Sequence, residues 1–164
     1  CKVIGIAGGP EKCAYVKDVL EFDECIDYKG GNLNQDLEDV CPNGIDIYFE
    51  NVGGEVTRAI APLLNKGSRV PICGFISKYN EGDMLTVETP FHVLGALKDK
   101  PEHRFFVVTE WINEWEDATK EILDLVSKDK MRYRETITKG FENAPQALRD
   151  VLTGKNFGKQ IIEI

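Results

Sequence analysis

Three observations predict an α/β protein, a parallel β-sheet with helices on both faces. Short β-branched runs alternate with helical periodicities at intervals of roughly 20–30 residues. The first run is apolar at nearly every position, as in a strand buried on both sides. Polar or glycine-bearing turns follow several of the strands, at the end of an α/β sheet where ligands bind.

Residues 2–8 (Lys-Val-Ile-Gly-Ile-Ala-Gly) form the first expected strand, and Gly8-Gly9 breaks it. Pro10 suits the first turn of a helix, where its missing N–H costs nothing. Residues 11–20 continue that helix, with Cys13, Val16 and Leu20 on one face. A strand at 25–28, a helix at 33–40 and a strand at 44–49 follow, the last closed by Asn51-Val52-Gly53-Gly54. Residues 55–65 read as a helix with Val56, Ile60, Leu63 and Leu64 as its stripe. Residues 68–73 form a fourth strand, although Pro71 removes one ladder donor. A loop rich in Gly, Ser and Asn runs to about residue 90, and residues 104–109 form a fifth strand. Trp111, Trp115, Ala118, Ile122 and Leu125 step by 4, 3, 4 and 3, the period of an amphipathic helix. Beyond residue 130 come an extended stretch at 133–138, a helix at 142–152 with Ala144, Leu148 and Val151 inward, and a strand at 160–164. Gly154 falls where a helix C′ residue belongs.

The chain's 164 residues carry 28 acidic against 20 basic side chains, a net charge of −8. Such a chain repels phosphate backbones and anionic headgroups at long range, which excludes nucleic acid and membranes as partners. No apolar run reaches the 18 residues of a membrane span, and a cytoplasmic protein is expected. Cys1, Cys13, Cys25, Cys41 and Cys73 are too widely spaced for a zinc or redox motif, and His92 and His103 are the only histidines. The expectation is reduced thiols and no metal site.

The residues that carry chemistry stand just after the strands. Lys12 lies one turn beyond Gly8-Gly9-Pro10; an ammonium there can meet a ribose 2′-phosphate, or it can be a solvated helix lysine. The Asn51–Gly54 turn opens a helix, so its amides can face a phosphate or ribose, or simply make the turn. Gly74 and the segment 77–80 form a polar loop holding Tyr79, a phenol able to donate a proton, or an ordinary loop tyrosine.

Taken in order, Gly5-Ile-Ala-Gly-Gly-Pro-Glu-Lys-Cys13, Asp27-Tyr28-Lys29, Gly44-Ile-Asp-Ile-Tyr-Phe-Glu-Asn-Val-Gly-Gly54, Cys73-Gly-Phe-Ile-Ser-Lys-Tyr-Asn80, Phe141-Glu-Asn-Ala-Pro145 and Gly154-Lys-Asn-Phe-Gly-Lys159 resemble one family. It is the zinc-independent medium-chain reductases, which include alkenal and prostaglandin/leukotriene reductases, plant double-bond reductases and curcumin reductase-like oxidoreductases. The resemblance runs from Cys1 to Ile164 and implies a Rossmann-type sheet.

It also implies roles. Lys12 and Tyr28, beside Gly8, would hold the 2′-phosphate of NADP. Asn51 would contact the cofactor near its ribose and phosphates. The run from Cys73 through Gly74 to Ile76 would lie beside the nicotinamide, Ser77 would also bind the cofactor, and Asn156 would reach it from the approach to the last strand. Tyr79 would be the catalytic residue, hydrogen-bonding the nicotinamide ribose or the carbonyl of a small enal or enone, whose β-carbon receives hydride. The family is expected to work as a homodimer. This chain departs from it at His103-Arg104-Phe105-Phe106, where the family usually has Gly before Phe, and the added bulk bears on substrate range.

The family's substrate-binding domain and its first βα unit, with the glycine-rich diphosphate loop, have no counterpart here. Residue 1 is Cys rather than Met, and the reading is a carboxy-terminal piece of a longer reductase. Residues 1–130 would be a partial NADP-binding domain lacking that βα unit, and residues 131–164 the segment returning to the substrate domain. In the strand order 3-2-1-4-5-6 the strand without a counterpart is central, so the piece alone is expected to be inactive and either unstable or self-associating. The alternatives are a free-standing nucleotide-binding or interaction module without catalysis and, more remotely, a methyltransferase.

Overall fold

In the computed structural model, which describes residues 1–83 and 86–164, seven strands and six α-helices alternate along the chain. β1 (Ile4–Ala7) leads into α1 (Pro10–Asp18), β2 (Glu24–Asp27) into α2 (Leu33–Val40), and β3 (Ile45–Ile47) into α3 (Glu55–Ile60). β4 (Leu64–Ile72) precedes α4 (Pro90–Gly95), and β5 (Glu102–Phe105) precedes α5 (Trp115–Ser127). β6 (Glu135–Lys139), α6 (Ala144–Leu152) and β7 (Lys159–Glu163) complete the chain.

Every pairing between these strands is parallel: β1 with β2, β3 with β4 and β4 with β5, and β6 with β7. They form three separate ladders, and no described strand lies between β1 and β3. Side chains bridge that break. Ile26, Leu37, Val56 and Ile60 form a core, with Ile4 and Ile6 of β1 and Ile45 of β3 packed against it. α2 and α3 thus tie the first two ladders together although their backbones do not meet. A second core joins Val70 and Ile72 of β4 to Leu94 of α4.

Several expected boundaries shift for local reasons. The helix expected over 55–65 stops at Ile60, passes through a 3₁₀ turn at Ala61–Leu63 and gives way to β4 at Leu64. Pro62 has no N–H for the carbonyl one turn back, so the α-ladder ends, while Leu63 and Leu64 still pack on the first core. Pro71 is tolerated inside β4 because its carbonyl still accepts the Glu50 N–H at 3.0 Å. α4 occupies part of the expected loop, begun by Thr89, whose N–H donates to His92 Nδ1 at 3.1 Å, with Pro90 in the first turn. The fifth strand ends early because Glu110 turns the chain: its carboxylate accepts the Val107 N–H at 2.9 Å and opens a 3₁₀ segment, Val108–Glu114.

Two faces differ from expectation. In α6 the inward residue is Ala147, while Leu148 stands in solvent, so the stripe is Ala144, Ala147 and Val151. A methyl side chain permits close approach; Leu148 lies about 100° further round the helix. α5 carries the predicted stripe only from Trp115 onward, Trp111 lying in the preceding 3₁₀ segment with non-helical backbone; it buries none of its residues, and Trp115, Ile122 and Leu123 are exposed.

Candidate functional site

Two groups of side chains gather at the carboxyl ends of the strands. The first stands beyond β1 and β2. A Cβ on Gly8 would lie 2.9 Å from Tyr28 Cε1, 3.0 Å from its hydroxyl and 2.9 Å from Lys29 Cε, so only glycine admits both side chains over the end of β1. Asp27 shapes the loop from beneath, accepting the Gly9 N–H at 2.7 Å and the Lys29 N–H at 3.0 Å. Pro10 begins α1, as expected, and one turn along Lys12 donates from Nζ to the Gly154 carbonyl at 2.7 Å.

Gly154 is the C′ residue of α6, at φ 68°. The Gly154 N–H bonds the Val151 carbonyl and the Lys155 N–H the Asp150 carbonyl, a Schellman closure. The Tyr28 hydroxyl and Lys29 Nζ come within 3.8 and 3.7 Å of where a Gly154 Cβ would stand. Chain segments 142 residues apart therefore meet at Lys12. Arg134 supports the same junction, stacking 3.7 Å over the Phe157 ring, which meets Tyr15 of α1 edge-on.

The second group stands beyond β3 and β4, organised by a side chain that the sequence does not single out. Glu50 is fully buried, and its carboxylate accepts the Val52 N–H at 2.7 Å, the Gly53 N–H at 2.9 Å and the Thr57 hydroxyl. Its own carbonyl accepts the Cys73 N–H at 2.8 Å and the Gly74 N–H at 3.3 Å. One residue thus fixes both loops. Two amides of the Asn51–Gly54 turn are consequently spent on Glu50 and are not free for a phosphate. Nearby, the Tyr48 hydroxyl is buried with no well-formed hydrogen bond among the described residues, and burial together with the Glu50 charge pushes its pKa up.

What the turn presents outward is the Asn51 side chain. A Cβ on Gly74 would stand 2.8 Å from Asn51 Oδ1 and 2.9 Å from the Tyr79 hydroxyl, so glycine leaves room for both groups over β4. Tyr79 is half exposed, its ring set edge-on against Phe75 at 5.7 Å. Ser77 Oγ lies 3.0 Å from a Cβ position on Gly54, and its N–H bonds the Val52 carbonyl at 2.9 Å. Cys73 and Ile76 are exposed on this rim.

The structure therefore brings Gly8, Lys12 and Tyr28 together, and separately Asn51, Gly74, Ser77 and Tyr79. Among the described residues Asn156 has no hydrogen bond to either group; its amide closes a turn by donating to the Gly158 carbonyl at 2.8 Å. Lys29 and Glu50 are the additions to the expected set. Lys29 sits in the Asp27-Tyr28-Lys29 string, and Glu50 carries a signal as an acid between an apolar strand and a double-glycine turn. Among the described residues, no three His, Cys, Asp or Glu side chains stand together as metal ligands, and no helix is long and apolar enough to cross a membrane.

Parallel strands with intervening helices and functional groups at their carboxyl ends define a Rossmann-like α/β protein. Comparison with known proteins agrees: residues 20–162 match the family model described as zinc-binding dehydrogenase, and the chain belongs to that family. It is 41% identical to the NADPH-dependent curcumin reductase of Escherichia coli (strain K12) across 100% of this chain and 48% of that protein. It is 40% identical to prostaglandin reductase 1 of Sus scrofa across 99% of this chain and 49% of that protein. The crystal structure of CurA from Vibrio vulnificus in complex with NADPH superposes with a TM-score of 0.89 at 43% identity, covering 99% of this chain and 49% of that one. The chain thus spans about half the length of the relatives it matches.

Proposed function

We propose that this chain is the cofactor-binding part of an NADPH-dependent oxidoreductase that reduces the C=C bond of α,β-unsaturated aldehydes and ketones. The observation that carries the reading is the convergence of Lys12, Tyr28 and Gly8 at the ends of β1 and β2. Among the described residues no ion pair engages Lys12, and the one nearby carboxylate with bonds into the loop, Asp27, is spent on backbone amides. An unneutralised ammonium beside a phenol hydroxyl and a glycine fits a phosphate monoester, the group that distinguishes NADP from NAD. The named activities of the curcumin and prostaglandin reductases support the same cofactor and substrate class.

In this reading Lys12 and Tyr28 hold the 2′-phosphate, and Asn51 orients the ribose and phosphates. Cys73, Gly74, Ile76 and Ser77 line the nicotinamide, and Asn156 approaches from the turn before β7. The bound cofactor supplies hydride for the substrate's β-carbon. Tyr79 donates a hydrogen bond to the carbonyl oxygen as negative charge develops there, then supplies or relays a proton. Gly74 leaves Tyr79 and Asn51 room over one point on the rim, so a side chain at that position would displace both.

Residues 1–130 then form the cofactor body, and residues 131–164 lead toward a substrate domain. The working enzyme is a cytoplasmic homodimer acting on small molecules, without nucleic acid or membrane partners, and the 164-residue chain alone is inactive. The test is Tyr79→Phe in the full-length protein, with an enone substrate. The expected result is a fall in kcat of about 10²–10³-fold, the size of one lost donor to a developing oxyanion, with the Kd for NADPH unchanged. Unaltered turnover would remove Tyr79 from the chemistry. NADPH binding without reduction of any enal or enone would favour a nucleotide-binding module instead.

A further inference from the structure

We infer that Lys29 is a second cation of the phosphate site and a determinant of its preference for 2′-phosphorylated nucleotides; this rests on the NADPH reading above. Lys29 Nζ lies 3.7 Å from the Cβ position of Gly154 and 5.7 Å from the centre of the Tyr28 ring, so it shares the enclosure that holds Lys12. Like Lys12, it takes part in no ion pair among the described residues. In a protein of net charge −8, two neighbouring ammonium groups, neither of them ion-paired among the described residues, are poised for an anion.

Charge arithmetic separates one lysine from two. The Gly154 carbonyl terminates α6, and a helix carboxyl end carries roughly −0.5 of an elementary charge. Lys12 alone, with one of its three donors committed to that carbonyl, does little more than balance the helix end and the Asp27 carboxylate beneath the loop. A phosphate monoester carries about −1.5 to −2 at neutral pH. Lys29 adds a second full positive charge, which moves the balance toward that of the phosphate. One lysine suffices to cap the helix; two suit a dianion.

The experiment compares Lys29→Ala, Lys29→Arg and Lys12→Ala in the full-length protein by titration calorimetry. The probes are adenosine 2′,5′-bisphosphate and adenosine 5′-phosphate, which need no turnover. Lys29 is exposed, so its replacement leaves the fold intact, checked by thermal unfolding. The expected result for Lys29→Ala is a loss of about tenfold in affinity for the bisphosphate, one charge-assisted contact, with 5′-phosphate binding unchanged and Lys29→Arg restoring the preference. If Lys12→Ala lowers the preference and Lys29→Ala does not, the assignment of Lys29 is wrong while the NADPH reading stands. If neither variant changes it, both fall. Equal loss for both probes would also overturn the assignment, placing Lys29 in general nucleotide binding.

Discussion

Cys25 of β2 lies against Cys13 of α1, and partial burial with that contact pushes its thiol up to about 12 from a usual value near 9. The Tyr48 hydroxyl is pushed up by burial beside Glu50. Both groups hold their protons in the folded chain at pH values where the unfolded chain releases them. Between about 9 and about 12 the unfolded state binds fewer protons, so the contribution of Cys25 is whole below pH 9 and shrinks as pH rises. Tyr48 acts in the same direction above pH 10. Urea midpoints should therefore fall between pH 8 and pH 10.5, and Cys25→Ser should shallow that fall. A drop of the same size in the variant would assign it elsewhere. Solvent screening limits the effect at Cys25, which is only partly buried. Its raised pKa also disfavours the reactive thiolate, while Cys73 is exposed on the site rim.

At the scale of elements, the end of α6 shows how much the sequence disclosed. A glycine after a helical stripe is a local signal, and Gly154 does adopt the left-handed conformation it implies. Gly154→Ala should cost about 1 kcal/mol in urea unfolding, since a Cβ there meets only ordinary contacts and the penalty is conformational. An unchanged midpoint would show that the turn relaxes freely. Other features are hidden from sequence for physical reasons. Leu63 and Leu64 continue the helical spacing of Val56 and Ile60 because they reach the same core from a 3₁₀ turn and a strand. Spacing cannot distinguish those routes; Pro62 can. Lys12, Tyr28 and Gly154 each carry a local motif, yet no local pattern encodes their meeting. Glu50 is similar: its position is legible, but the three bonds its carboxylate accepts depend on how the turn folds back.

For the whole molecule, the break between β1 and β3 leaves each with one edge unpaired among the described residues. Ile47, Phe49, Phe105 and Trp115 are also about half exposed. Full burial of each such side chain is worth about 1.5–3 kcal/mol, against a typical total stability of 5–15 kcal/mol. The unburied apolar surface is thus comparable to the margin on which a domain stands. Prepared alone, the 164-residue chain should sediment as a concentration-dependent mixture above monomer mass, its free parallel edges being templates for another strand. A monodisperse monomer with one sharp unfolding transition would refute this.

The contact between Lys12 and Gly154 also has a consequence in time. The two residues are 142 positions apart. At synthesis rates of about 5–20 residues per second, the lysine leaves the ribosome's catalytic centre roughly 7–30 s before the carbonyl it will hold. For that interval α1 can fold on β1 and β2, but its ammonium has no helix end to meet. The junction of α1 with the end of α6 therefore forms only after every residue between them has been made, long after the strands beside Lys12 can pair.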